Sequence, residues 1–227
     1  MKKRSYPRRK TVGICPAGRV AYRAAMVSVG VLLMSLSQAW AGAPTDQLKT
    51  SVDQVIRILE DPTLKSESKT QERRVAIRKH ADNIFDFEET AKRALGPHWQ
   101  GLSATDKQEF VSLFADLLER LYLAKIERYS GEKTMYAGDS IDGDLATVKT
   151  RFLTKQGTEV PVEYRMLHRG DRWLVYDVVV EGVSLVNNYR ARFNKIIQTS
   201  SYQELVAKMK NSEFNAPGGS EIGRAHV

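Results

Sequence analysis

Cysteine is all but missing from this chain: of its 227 residues only Cys15 carries a thiol. It falls within the first 41 residues, so no disulfide can staple the remainder. The fold must rest on a packed core, which a chain of this length can bury unaided. Histidine is scarce as well. His80, His98, His168 and His226 lie far apart, with no His-x-x-x-His spacing and no cysteine beside them, which argues against a metal site. There is no Gly-x-Ser-x-Gly and no glycine loop of the phosphate-cradling kind. Beyond residue 41 no apolar run reaches membrane-spanning length. Finally, the first 41 residues contain no Asp or Glu, although Lys2, Lys3, Arg4, Arg8, Arg9, Lys10, Arg19 and Arg23 are all there.

That last absence decides the electrostatics. A basic start, a short apolar run from Ala24 to Leu36 and a small-x-small pattern at Ala39-Trp40-Ala41 read as a secretory signal over residues 1–41, cleaved after Ala41. Arg8-Arg9 raises twin-arginine export, but Thr11 stands where that motif wants an aromatic, so the Sec route is preferred. Cys15 precedes the apolar run and does not fit a lipoprotein site. The formal charge of +8 belongs wholly to the eight basic residues of this segment. The other 27 Lys and Arg equal the 27 Asp and Glu, so the expected mature chain is neutral and nucleic acid is excluded as a partner. The expected location is the periplasm.

From residue 42 on, patterning predicts one α+β domain ending near residue 212, followed by a disordered tail over 213–227. Leu48, Val52, Val55, Ile56 and Leu59 form a helical stripe ended by Asp61-Pro62. Ser68-x-x-Gln71 has the pattern of a capping box for a second helix. Asp86-x-x-Glu89 opens a short third, closed by Gly96-Pro97. Ser103-x-x-Asp106 opens the longest, with Phe110, Phe114, Leu117, Leu118, Leu121, Tyr122, Ile126 and Tyr129 along it. The period then becomes alternating. Residues 133–140, 144–155, 158–168 and 171–181 predict four strands joined by Asp142-Gly143, Gln156-Gly157 and Arg169-Gly170, an antiparallel meander with one apolar face for the helices. Ser184 and Ser201 each precede a closing helix.

Chemistry is sparse. Asp142-Gly143-Asp144 lacks the rest of a calcium loop and reads as a hairpin turn. Glu88-Glu89 suits a helix start without any catalytic role. Asp177 stands out, because it interrupts an apolar strand and a buried carboxylate needs partners. It is read as a lock accepting hydrogen bonds from Arg or Tyr, with a general base as the alternative.

The stretch Trp173-Leu-Val-Tyr176-Asp177 leading into Glu181-Gly182-Val183-Ser184 and a helix resembles the hallmark segment of the MlaC family, also called toluene-tolerance auxiliary components. Leu95-Gly96-x-x-Trp99, then Leu102-Ser103 and Phe110, is similar to a second family segment. The resemblance implies a twisted antiparallel sheet of the nuclear-transport-factor-like kind, with helices packed on its apolar face around a pocket for phospholipid acyl chains. It further implies a periplasmic shuttle without a catalytic centre or cofactor, serving outer-membrane lipid asymmetry. Its partners would be an inner-membrane ABC transporter with an MCE-domain subunit and an outer-membrane lipoprotein–porin complex.

Exposing one chain of about 16 carbons to water costs on the order of 12 kcal/mol, so a carrier must hide nearly all of it. That calls for a cavity of roughly 1,000 Å³ or more. Facing alone nominates Leu118, Tyr122, Ile126 and Tyr129 from the long helix. The sheet adds Val148, Phe152, Val162, Tyr164, Met166, Tyr176 and Val178, and the closing corner Val183, Val186 and Tyr189. Val→Trp at Val148 or Val162 is expected to block loading with the fold intact. Two other readings compete: a small periplasmic enzyme on a nuclear-transport-factor-like fold using Asp177, and an interaction module with a solid core.

Overall fold

A computed structural model describes residues 43–214. The expected signal and most of the expected tail lie outside these residues. Six α-helices and one sheet make up the described part: α1 (Ala43–Glu60), α2 (Thr70–Ile84), α3 (Phe87–Leu95), α4 (Ala104–Ile126), α5 (Leu185–Thr199) and α6 (Tyr202–Lys210). The strands are β1 (Lys133–Asp142), β2 (Leu145–Leu153), β3 (Glu159–Arg169), β4 (Arg172–Val180) and β5 (Val183–Ser184).

The class is α+β, and the sheet is an antiparallel meander in the order β1-β2-β3-β4-β5. It has five strands where the sequence predicts four. Glu181 and Gly182, with φ of 50° and 82°, form a tight turn, so Val183 pairs back onto Val180 before the helix begins. The hydroxyl-capped starts are as the spacing predicts. Ser103 and Asp106 form a full capping box on α4, and Asp86, Ser184 and Ser201 accept from backbone amides at the starts of α3, α5 and α6. Ser68 fails as a cap, because it lies inside a 3-10 turn, Glu67–Lys69, from which α2 grows directly. Gly96 leaves α3 at φ 57° and ψ −126°, a conformation that only glycine adopts without strain.

The apolar side of the sheet is not shared by all the helices. Ala146, Val148, Met166, Trp173 and Val175 are buried against Leu48 of α1 and Ile84 of α2. Thr45 at the start of α1 donates to Asp139 of β1, and Gln47 accepts from the Trp173 amide, which pins α1 across the sheet. The remaining helices bury one another. Ala91, Ala94, Leu95, Trp99, Phe110, Phe114, Leu117, Tyr189, Phe193, Leu205 and Met209 make a second core that draws nothing from the sheet. Phe214 joins it, its ring 5.6 Å from that of Phe193, so the packed unit runs past the expected end at 212.

Candidate functional site

β4 carries the junction between the two cores. A register shift opposite Arg165 and Met166 leaves Tyr176 unpaired between Val175 and Asp177, a bulge that turns the strand. The α2–α3 connection is stitched to this bulge: the Asp86 amide donates to the Val175 carbonyl at 2.8 Å and the Thr90 hydroxyl to the Tyr176 carbonyl at 3.0 Å. Arg93 of α3 stacks 4.0 Å from the Tyr176 ring.

Asp177 ties the same bulge to α5. Its Oδ1 accepts from the Val186 amide at 3.0 Å, and its Oδ2 from the Ser184 hydroxyl at 2.7 Å and Arg165 at 3.1 Å. Ser184 in turn accepts from the Asn187 amide. Both carboxylate oxygens are thus engaged in holding a helix N-terminus, the lock that the sequence suggests and not the posture of a general base.

Between the cores lies a cavity lined by Phe85, Thr90, Phe114, Leu118, Tyr176, Asp177, Val178, Leu185, Val186 and Tyr189. Its volume is about 30 Å³, room for one or two water-sized groups, and its exposed lining is almost wholly apolar. This is far below the expected 1,000 Å³. Parting the walls would expose apolar area at about 25 cal/mol per Å², so they rest in contact. The larger cleft, about 510 Å³ between α2 and α4, is lined by Arg74, Arg78, Lys79, Asp82, Glu119 and Arg120 among others. Arg78 pairs there with Asp82, Asp116 and Glu119, so an ion-pair network shares the cleft with the apolar Val75, Leu123 and Ala124.

Of the residues nominated from the sequence, Leu118, Tyr176, Val178, Val186 and Tyr189 meet at the small cavity. Tyr122 sits one turn along α4 from Leu118, and its phenol acts on that of Tyr189. Phe152, Tyr164 and Tyr129 are half-buried and do not line the cavity, although Tyr164 pairs across the sheet with Val178, which does. Val148 and Met166 are 0% exposed within the sheet–α1 core, and Val162 is buried on the sheet between Thr150 and Val180. Ile126 and Val183 are exposed. Phe85, Thr90, Phe114 and Leu185 complete the lining without having been nominated. Phe114 and Leu185 carry the helical spacing that marks any core residue, and Thr90 gives no signal in the sequence at all.

The phenols around this junction are held protonated. Burial, above all, pushes Tyr189 and Tyr164 well above the ordinary tyrosine range, and Tyr136 up to about 12. Burial also raises Tyr122. Among the described residues no helix is long and apolar enough to cross a membrane.

The family model for the MlaC protein matches residues 49–211. The chain is similar to the intermembrane phospholipid transport system binding protein MlaC of Haemophilus influenzae, 23% identical over 144 residues that cover 61% of this chain and 67% of the relative. Among solved structures it is similar to the phospholipid-binding protein from Ralstonia solanacearum in complex with a phospholipid. That likeness has a TM-score of 0.65 at 23% identity, over 74% of this chain and 95% of the other, and it shows a shared fold. The matched span holds both cores, the β4 bulge and the Asp177 lock, and on that match the chain belongs to the MlaC family.

Proposed function

We propose that this protein is a periplasmic phospholipid carrier that takes acyl chains between its two cores. The observation that carries the reading is the seam itself. Phe114 and Tyr189 of the helical core, Leu118 on its fringe, and Phe85 and Val178 on the fringe of the sheet core line one apolar cavity that separates the two. Such a seam can widen without breaking either core, whereas a continuous interior could not. Loading then exchanges wall-to-wall contact for wall-to-lipid contact, so the cost of opening is largely returned. The similar proteins of Haemophilus influenzae, a phospholipid transport system binding protein, and of Ralstonia solanacearum, a phospholipid-binding protein, support phospholipid as the ligand.

The carrier works by binding and release, with Asp177 as a structural anchor and no group transferring protons to a substrate. Head groups stay near solvent, which is consistent with a mature chain of no net charge. Its exchange partners, in either direction, would be an outer-membrane lipoprotein–porin complex and an inner-membrane ABC transporter with an MCE-domain subunit. The test is direct: express the full chain in a Gram-negative host, purify it from the periplasm without detergent, and extract it for mass spectrometry. Stoichiometric phospholipid is expected; a lipid-free protein under these conditions would overturn the reading.

A further inference from the structure

Two buried polar atoms beside the seam have, at best, only each other for a partner. The hydroxyls of Tyr122 and Tyr189 are shielded from solvent, and neither completes a hydrogen bond of ordinary geometry. Tyr189 is 0% exposed and lines the cavity. Tyr122 lies one turn beyond Leu118, which lines it too. The two phenols are close enough for each to act on the other's proton affinity. Turned towards each other they could form one bond at most, which still leaves one O–H proton without an acceptor. Buried donors left unmatched are costly, and native interiors seldom keep them without a use.

The chemistry that fits is narrow. The pair offers neutral donors in an apolar surround, so the complementary group is a neutral acceptor with two lone pairs. A carbonyl oxygen meets that description, and a desolvated phosphate does not. The charge needed for a phosphate stands further out: the Arg192 guanidinium lies 5.8 Å from the centre of the Tyr189 ring, on half-buried ground, and its charge reaches both phenols.

We infer that the Tyr122–Tyr189 hydroxyl pair is a donor site for an acyl-ester carbonyl of the bound lipid, selecting ester-linked over ether-linked glycerophospholipids. This rests on the carrier reading above and deepens it. Each neutral hydrogen bond contributes about fivefold in affinity, so the pair should favour the ester by about tenfold or more. The experiment displaces a fluorescent phospholipid from the mature protein with two competitors, dipalmitoyl phosphatidylglycerol and its dihexadecyl ether analogue. Wild type should prefer the diester about tenfold, and Tyr122→Phe with Tyr189→Phe should bind both lipids with that preference gone. If the double variant does not fold, Tyr122→Phe alone should lose about half of the preference on a logarithmic scale. Equal binding of both lipids by wild type, or a preference that survives in the variants, overturns the inference and leaves the carrier reading standing. Wild-type protein that binds neither lipid overturns the carrier reading itself.

Discussion

The helical core and the sheet core are built from different materials. Among the helices, Phe110, Phe114, Tyr189 and Phe193 lock ring against ring, with centres 5.1–5.9 Å apart and several pairs edge-to-face. All four are at most 1% exposed. The sheet core is made of Ala146, Val148, Met166 and Val175 under Leu48, and its rim of Phe85, Tyr136, Tyr164 and Val178 is only part-buried. Interlocked rings resist any displacement, because a small shift forfeits many contacts at once. A rim of separate apolar side chains can be covered by a neighbouring wall or by a guest. On the carrier reading proposed above, the part-buried rim is the side of the seam that yields, while Phe114 and Tyr189 of the ring cluster form its fixed wall.

Substitutions on either side of the seam separate the two roles. Phe193→Ala should cost about 3–5 kcal/mol in denaturant unfolding, since four rings surround it and the hole cannot collapse. The molecules that remain folded should keep their lipid; lipid loss without loss of stability would contradict the division. Asp177→Ala comes next, at about 2–3 kcal/mol, because the Val186 amide and the Ser184 hydroxyl lose their acceptor while Arg165, 37% exposed, can turn to water. Val148→Trp and Leu118→Trp form a contrasting pair. The first overfills the sheet–α1 core and should cost about 1–3 kcal/mol, so it is a poorer probe than the sequence suggests. The second adds bulk to a half-buried wall of the seam, so it should cost less than the first and lower co-purified lipid, a result read by mass spectrometry on the extracted protein.

The smallest effect lies outside both cores. Glu127 accepts from Arg73 and Arg74 and ties α2 to the end of α4. Its carboxyl is held below the ordinary value of 4.5, first by the hydrogen bond from Arg74. A carboxylate so lowered stabilises the fold above its unfolded-state pKa and stops doing so as pH falls through its folded value. Glu127→Gln should therefore cost about 1 kcal/mol at neutral pH, with lipid content unchanged. The gap to wild type should close in acid, below the usual glutamate range. A gap that persists there would assign the loss to packing.

Much of this was legible in the chain. Ser103, Ser184 and Ser201 announced their helices because a cap is a local bond, complete within four residues. Alternation along β2 and β3 gave the buried Ala146, Val148 and Thr150 and their partners Met166, Tyr164 and Val162. Ser68 misled, since a 3-10 turn satisfied the same backbone groups first. The cavity list was harder. Val148 and Leu118 look alike by spacing, yet one faces α1 and the other faces the seam.

What the sequence by itself determined, then, is everything set by neighbours along the chain: the strand order, the caps, the tight turns, and the Trp173–Ser184 segment that marks the family. Only the tertiary structure decided that the helices split their loyalties, with α1 and the end of α2 closing the sheet and α3 to α6 closing on themselves. Periodicity states that a side chain is turned inward, but not which inward surface it meets. The seam and the buried Tyr122–Tyr189 hydroxyl pair both depend on that second fact. They arise from residues far apart in the chain, such as Thr90 and Tyr176, 86 apart.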